Sequence, residues 1–468
     1  MKVTFVGHAA ILIETQGLRI LSDPWWEGPC FGTQWWVYPR ADTTAVGTAP
    51  LDYVYISHGH HDHLHLGTLR RLPAVGKVLV SSTLDIGGFL EERGFDVWRI
   101  KPDEAVDLGQ GVRARLIPTC NDDTLLAVDD GDASCINLND ALHAAPETVQ
   151  DDIIARLKSA YPDPTYMFCG YGIASHFPAC YRLPGAEREA TVARRQAYFN
   201  RRWTRIAHRL SPRFAFPFAA DVAFLDEHLL WANEPIHNSE RPTDVFSTLH
   251  PDAPTRVFDI APGFTIEGDT VIRDVRFQPV DVEKLKTDYA QEYQVANRTS
   301  KIPSGGLTSV AGLVRDKIAL CQSYLKEFEG NYRVLIRLSD CNDALLMTKE
   351  GDTVALTEVP AAGTAADLVF TTRFSYLRRA LTETYGGEVL YVGSGCTIEY
   401  LNAAMVPRNL HREVLAVLRN RQSAPPSRFG DQPKWLFKLK RVIKSLTRSR
   451  PADLYDLDAW IVRKGQEG

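Results

Sequence analysis

The segment that decides the fold is YISHGHHDHLHLGTL, residues 55–69, which contains five of the chain's 13 histidines. The histidines begin where the apolar run DYVYIS ends, so they lie in a loop after a predicted strand, where side chains can converge on one point. His58 and His60 are two residues apart and can share one metal ion, while Asp62 and His63 can turn toward a second. A solvated loop that is rich in histidine by chance is the alternative, but it does not account for this order. The loop therefore predicts half of a dinuclear metal site.

Further ligands are expected at other strand ends. Asp140 follows the apolar run SCINLN, where a carboxylate can bridge two cations; a turn or a helix N-cap is the alternative. Asp122 and Asp123, in IPTCNDDTLLAV, offer a third ligand for the first metal, unless they form an acidic hairpin turn. The residues leave the choice between these two open. His228 follows the strand-like RFAFPFA and could complete the second metal's ligands, or be an ordinary surface histidine.

Composition limits the other functions. The 53 Lys and Arg against 58 Asp and Glu give a formal net charge of −5, so no global positive field favours nucleic acid. The eight cysteines are scattered without Cys-x-x-Cys spacing, which argues against a disulfide framework or a protein-held iron–sulfur cluster. The sequence starts directly in a strand pattern and shows no apolar run of membrane-spanning length. We expect a cytoplasmic enzyme with a small-molecule substrate.

Four regions follow from the pattern of the chain. Residues 1–270 alternate short β-rich runs with helical periods, which is typical of a mixed α/β domain. Residues 271–330 read as a helical connector that ends at Gly330. Residues 331–402 form a smaller α+β domain of strands with Gly-containing turns. Residues 403–468 read as a helical tail that becomes basic.

These residues resemble a known family. The stretch VGHAAILIETQGLRILSDPWWEGPCFGTQWWVYPR, then YISHGHHDHLHLGTL and INLND, is similar to the metallo-β-lactamase fold. Within that fold it resembles the oxygenase domain of CMP-N-acetylneuraminate hydroxylases and related sugar-nucleotide hydroxylases. The resemblance covers about residues 1–270 and implies an αββα sandwich with a paired metal site. It also matches Asp123, before Thr124, and His228 to the family pattern.

The resemblance implies a diiron, O2-dependent monooxygenase acting on an N-acylated amino-sugar nucleotide or a similar biosynthetic intermediate. One iron ion is expected at His58, His60 and Asp122 or Asp123. The second is expected at Asp62, His63 and His228, with Asp140 as the bridge. The hydrolases of this fold usually place a histidine where this chain has TCNDD, and an oxygen donor there favours iron over zinc. The alternative is a dinuclear zinc or manganese hydrolase of a phosphodiester, lactone or amide.

The electron supply is expected to be external. The related hydroxylases carry a Rieske domain before this fold, whereas the present sequence has no Cys–His cluster or flavin motif. A ferredoxin or Rieske-type donor protein is therefore predicted. The basic, amphipathic stretch 434–450 could dock such an acidic donor or contact a membrane surface, or it could be a plain solvated helix. The 331–402 unit weakly resembles sterol-carrier proteins, from which we infer no lipid binding.

Four tryptophans form a candidate substrate pocket. Trp25, Trp26, Trp35 and Trp36 lie in DPWWEGPCFGTQWWVY, and their faces could stack on a base or a sugar. A hydrophobic lid packed on the core is the equally weighted alternative.

Overall fold

The computed structural model describes residues 1–119, 123–172, 175–183, 188–297, 303, 305–420 and 422. The strands, in chain order, are β1 (Lys2–Gly7), β2 (Ala10–Thr15), β3 (Leu18–Ser22), β4 (Trp35–Val37), β5 (Leu51–Tyr55), β6 (Val75–Ser81), β7 (Val97–Ile100), β8 (Ala105–Gly109), β9 (Val112–Pro118), β10 (Thr124–Asp129), β11 (Ser134–Asn139), β12 (Tyr166–Gly170), β13 (Tyr181–Arg182), β14 (Phe214–Phe218), β15 (Val222–Phe224), β16 (Arg256–Val257), β17 (Thr265–Glu267), β18 (Thr270–Arg273), β19 (Tyr332–Leu338), β20 (Asp343–Glu350), β21 (Thr353–Pro360), β22 (Leu368–Thr372) and β23 (Cys396–Tyr400).

The helices, in chain order, are α1 (Leu66–Leu69), α2 (Ile86–Glu91), α3 (Glu147–Ala160), α4 (Arg188–Leu210), α5 (Asn233–His237), α6 (Pro242–Leu249), α7 (Val282–Asn297), α8 (Gly306–Leu320), α9 (Gln322–Lys326), α10 (Phe374–Thr382), α11 (Glu388–Tyr391) and α12 (His411–Val417). Short 3-10 turns cover Leu230–Ala232 and Ala403–Met405. Within the part of the chain that the structure describes, every helix is too short or too polar to cross a membrane.

Two sheets face each other in the first half of the chain. One has eight strands in the order β18-β17-β1-β2-β3-β5-β6-β7, and the other has seven in the order β16-β14-β12-β11-β10-β9-β8. Apolar side chains from both sheets meet between them, among them Phe5, Tyr55, Leu126, Phe168 and Phe216. Burying one side chain of this size stabilises the fold by roughly 1.5–3 kcal/mol.

Helices cover the outer faces of both sheets. Leu69 of α1 and Leu90 of α2 pack on the first sheet, while Leu157 of α3, Trp203 of α4 and Phe246 of α6 pack on the second. Strands buried on both faces read as continuous apolar runs such as TLLAV. The layers are therefore helix, sheet, sheet, helix, and the predicted αββα class is confirmed.

A third sheet forms the smaller C-terminal α+β unit. Its six strands are ordered β13-β23-β22-β19-β20-β21, so β13, which lies between sandwich strands in sequence, pairs with β23 in this sheet. Val314 of α8 and Val414 of α12 are buried in the core of this unit. Phe31 and Trp35 belong to that core too, which joins the unit to the sandwich beside the histidine loop.

Candidate metal centre

Asp23 anchors the histidine loop at the ends of three strands. It follows β3, which lies parallel to β5, and it is fully buried. Its Oδ1 accepts the Ser57 backbone N–H at 2.8 Å, and its Oδ2 accepts an Asn139 Nδ2–H at 2.8 Å. The ends of β3, β5 and β11 are therefore fixed around one carboxylate.

His58 and His60 point toward a common position. Nε2 of His58 lies 2.8 Å from Nδ1 of His60, and two nitrogens bound to one tetrahedral cation at about 2.0 Å stand about 3.3 Å apart. Nδ1 of His58 contacts the hydroxyl oxygen of Ser57 at 2.9 Å. Nε2 of one imidazole and Nδ1 of the other therefore lie close enough to bind a single ion, and their assignment as ligands stays a prediction.

His63 stands between two carboxylates. Its Nε2 is 3.3 Å from Oδ2 of Asp62 and 3.5 Å from Oδ2 of Asp140. Its Nδ1 lies 3.2 Å from Oδ2 of Asp23, which orients the ring and leaves Nε2 for a metal. The imidazole is fully buried, so its partners are fixed.

His8 joins the same group of side chains, although the sequence analysis did not single it out. It follows β1 in the tight turn to β2 and has a left-handed φ of 48°. Its Nε2 lies 3.1 Å from Oδ2 of Asp62, and its Nδ1 lies 3.2 Å from the backbone oxygen of Asp221. The preceding Gly7 has a φ of +154°, and a Cβ there would stand 3.0 Å from Ala41. The close turn that delivers His8 therefore depends on glycine.

The donor atoms form two overlapping sets that share His63. His8, Asp62 and His63 form one set, and His58, His63 and Asp140 form the other; within each set the donors lie within 4.8 Å of one another. Oδ1 of Asp140 is buried without a hydrogen-bond partner. Such an atom is costly unless something compensates it, and a cation among these donors would. The residues present therefore fit a metal centre.

Charge and protonation are coupled at this centre. Burial opposes the ionisation of Asp62, but the charge of His63 and hydrogen bonds from His63 and His8 hold its pKa well below the usual range. Burial also disfavours the charged form of His63, yet Asp62 and hydrogen bonds to Asp140 and Asp23 raise its pKa well above the usual value. The pKa of Asp140 is lowered to about 2, against burial, by the hydrogen bond and charge of His63. A proton on His63 therefore balances the carboxylates.

His58 and His60 have the opposite tendency. Burial, together with the nearby His63 and His60, lowers the pKa of His58 well below the usual value. Burial likewise lowers the pKa of His60. Neutral imidazoles offer a lone pair to a metal without first losing a proton.

The predicted third ligand occupies an unexpected side of His58. Oδ1 of Asp123 lies 3.5 Å from Nδ1 of His58, the nitrogen that faces away from His60. In this position Asp123 can orient His58 as a neighbouring carboxylate does in many metal sites. The alternative candidate, Asp122, lies outside the described residues.

The structure does not bring His228 into the centre. Nε2 of His228 lies 3.2 Å from the backbone oxygen of Ser394, in the turn before β23, and it belongs to neither donor set. This contact arises because the C-terminal unit packs on the loop that carries His228. His8 occupies the position beside Asp62 and His63 that His228 was expected to fill.

A cavity of about 800 Å³, its open mouth included, adjoins the metal centre. His8, Asp62 and Asp140 are among its lining residues, so the cavity opens onto the candidate ligands. Of the four candidate tryptophans, Trp35 lines this cavity. The other three do not: Trp25 is buried and donates to Gly28 O, Trp36 packs against Tyr289, and the partly exposed Trp26 packs beside the α1 layer.

His143 is a second residue that the sequence reasoning missed. It is buried, its Nε2 contacts the backbone oxygen of Gly172, and its Nδ1 has no hydrogen-bond partner. A Cβ on Gly170 would meet both His143 Nδ1 and Asp140 Oδ1 at about 3 Å, so the two acceptors lie close together. The available signal was the sequence INLNDALH, with a histidine three residues after a strand-end aspartate. For His8 it was a histidine directly between two predicted strands, VGHAAIL.

Comparison with known proteins agrees with the layer order. Residues 2–130 match the sequence profile of the beta-lactamase superfamily domain, and the chain contains a metallo-β-lactamase fold domain. A putative Rieske 2Fe-2S iron–sulfur protein of Mycobacterium tuberculosis is 28% identical over 263 residues, 53% of this chain and 48% of that protein. The chain thus spans about half the length of this relative.

Two further relatives match shorter segments. A cytidine monophosphate-N-acetylneuraminic acid hydroxylase of Danio rerio is 30% identical over 105 residues, 21% of this chain and 18% of that protein. A metal-dependent hydrolase of Carboxydothermus hydrogenoformans is 44% identical over 64 residues, 14% of this chain and 24% of that protein. The relatives therefore include one protein named as a hydroxylase and one named as a hydrolase.

Proposed function

We propose that this chain, with its metallo-β-lactamase fold domain, is a diiron, O2-dependent hydroxylase. The observation that carries the proposal is the composition of the donor sets. Each contains two imidazoles and one carboxylate, the combination typical of non-haem iron sites that activate dioxygen. The hydroxylase among the relatives supports the same chemistry.

The proposed ligands follow the described contacts. His8, His63 and Asp62 would hold one iron ion, and His58, His60 and Asp140 the other, with Asp140 also close enough to His63 to bridge. Asp23 and Asp123 would orient the rings of His63 and His58. Reduced iron would supply the capacity to activate dioxygen.

The chain's own residues would bind and orient the substrate. Hydroxylation of one C–H bond consumes one O2, two electrons and two protons, and it yields one hydroxyl group and one water. The apolar cavity walls would exclude bulk water, and the cavity would hold the bond to be oxidised against the metal centre. The substrate class we propose is an N-acylated amino-sugar nucleotide or a similar biosynthetic intermediate.

The two electrons would come from a separate redox protein. The Rieske-named relative supports an electron-transfer partner of this kind. The predicted docking stretch 434–450 lies outside the described residues, so its role, like that of membrane contact, stays a prediction. A donor protein that binds this basic stretch would bind it less tightly as the salt concentration rises.

A metal-dependent hydrolase is the second candidate, because a relative carries that name. In that case the same ligands would hold zinc or manganese, and the cavity would bind a phosphodiester, lactone or amide. The candidates differ in their requirement for oxygen and reductant.

Metal titration tests the proposal. Chelated protein is titrated with Fe(II) under anaerobic conditions, and we expect about two ions per chain, each with a spectrum of nitrogen and oxygen ligation. His8→Gln should remove one ion, because Asp62 and His63 then lack the third donor. His250→Gln is the matched control and should keep both ions, because the partly exposed His250 follows α6, stacks on His208 and belongs to neither donor set. Equal loss or equal retention in these two variants would contradict the ligand assignment.

A further inference from the structure

The cavity beside the metal centre contains a buried cation that the ligand set does not use. Among its described lining residues, Arg195 is the one with a permanent positive charge. It lies on α4 and is 8% exposed. The Arg195 side chain is therefore part of the cavity wall and largely removed from bulk water.

Neighbouring groups hold Arg195 in place. Its Nη1 donates to the backbone oxygen of Phe177, the residue before Pro178, which also lines the cavity. The guanidinium carbon lies 6.0 Å from the centre of the Phe199 ring one turn further along the helix. A guanidinium fixed in this way is organised before a ligand arrives, so little conformational entropy is lost on binding.

The remaining walls of the cavity are mostly apolar. Trp35, Val192, Phe199, Val222 and Phe224 line it, and they belong to β4, α4 and β15. Apolar walls with a few fixed polar groups are typical of sites that bind a small molecule by its body and orient it by one end.

From this arrangement we infer that Arg195 binds an anionic group, carboxylate or phosphate, of the substrate. Planar guanidinium groups match both anions through paired N–H donors. The inference rests on the proposed function only in taking this cavity as the substrate site. It deepens that function, because the anion would fix which bond of the substrate faces the metal centre.

The state of the metal centre matters for this contact. Asp62 and Asp140 also line the cavity, and their charges would repel an anion in the absence of cations. Bound divalent ions reverse the sign of that field. The binding test therefore uses the full chain loaded with zinc, which takes part in no redox step.

Three aromatic probes of similar shape test the inference by calorimetry. Benzoate and phenyl phosphate carry the two anions, and benzamide is the neutral comparison. In the wild-type protein we expect at least one anion to bind at least tenfold more tightly than benzamide. That preference should fall at least fivefold in Arg195→Gln and recover in part in Arg195→Lys. The anion that binds more tightly shows whether Arg195 prefers a carboxylate or a phosphate.

Arg194→Gln is the matched control. Arg194 is the exposed neighbour on the same helix and donates to Thr191, so the variant changes the same charge outside the cavity and should keep the preference. Anions that bind zinc directly do so in every variant, so only the change in preference reports on Arg195.

A crystal structure of zinc-loaded wild-type protein with phenyl phosphate gives a reading that does not depend on a variant. We expect a phosphate oxygen within hydrogen-bond distance of the Arg195 guanidinium. An anion bound elsewhere, no preference over benzamide, or the same preference in Arg195→Gln would overturn the inference. Because these measurements need neither iron nor oxygen, they remain decisive if the hydroxylase proposal fails.

Discussion

Glu388, the first residue of α11, is influenced by the charge of Asp62, and its replacement by glutamine should change how stability depends on pH. The α11 helix packs on the segment around Phe31, whose ring stacks on His61 at 5.3 Å. Oε2 of Glu388 is buried without a hydrogen-bond partner. Burial, and then the charge of Asp62, raises the pKa of Glu388 from 4.5 to about 7.

The size of the effect follows from that difference. A pKa raised from 4.5 to about 7 corresponds to about 3 kcal/mol, which solvent screening of the partly exposed side chain reduces to about 2 kcal/mol. Since the folded protein binds the proton more tightly than the unfolded chain, this stabilisation is fully present below pH 4.5. It is lost as the pH rises through about 7. Glu388→Gln cannot ionise and should not lose it.

Urea unfolding of the metal-free protein at about pH 5 and about pH 8 measures how its free energy of unfolding changes with pH. From the lower to the higher pH, we expect the free energy of unfolding of Glu388→Gln to rise by about 2 kcal/mol relative to that of the wild type. Glu350→Gln, an exposed residue of the same unit, is the control and should gain little. Bound metal should reduce the gain, because a cation beside Asp62 favours ionised Glu388. An unchanged difference between Glu388→Gln and the wild type at both pH values would refute the reasoning.

Three further predictions concern the metal centre. Asp140→Ala should lower the occupancy of both metals, whereas Asp123→Ala should mainly lower the occupancy of one. Elemental analysis measures the metal content. Full retention of metal in both variants would show that the roles assigned to Asp140 and Asp123 are wrong. Because the pKa of His63 is raised, metal binding near neutral pH should release a proton and weaken as the pH falls, which calorimetry in two buffers of different ionisation enthalpy detects as a buffer-dependent heat. His228→Ala should leave metal content unchanged, since its Nε2 contacts Ser394; loss of one ion would return His228 to the ligand set.

The features of the fold and the site that can be predicted from the sequence are those specified by residues close together along the chain. A His-x-His-x-Asp-His spacing after a strand specifies which side chains one loop can present, and in the structure His58, His60, Asp62 and His63 lie close together. Asp140 follows the same logic, because β11 ends at the same edge of the sandwich. The alternation of apolar runs with helical periods predicts a mixed α/β domain, and the resemblance to the metallo-β-lactamase fold implies its αββα layers.

The parts that the sequence does not predict depend on contacts between distant segments. His8 reaches Asp62, 54 residues later in sequence, only because β1 and β5 end at the same edge of the sheet, with β2 and β3 between them. His228 is held by Ser394, 166 residues later, a contact that no local pattern contains. The pairing of β13 with β23 shows why regional composition does not reveal how closely the C-terminal unit joins the sandwich.

Oxygen uptake by the reduced iron protein tests the central claim most directly. Protein loaded with Fe(II) and mixed once with dissolved oxygen should consume about one O2 per chain, since two-electron reduction of O2 needs both ferrous ions. Zinc-loaded protein and the Asp140→Ala variant, mixed in the same way, should consume almost none. Failure of the iron protein to take up oxygen, with zinc-loaded protein hydrolysing phosphodiester, lactone or amide substrates equally well without oxygen, would contradict the account.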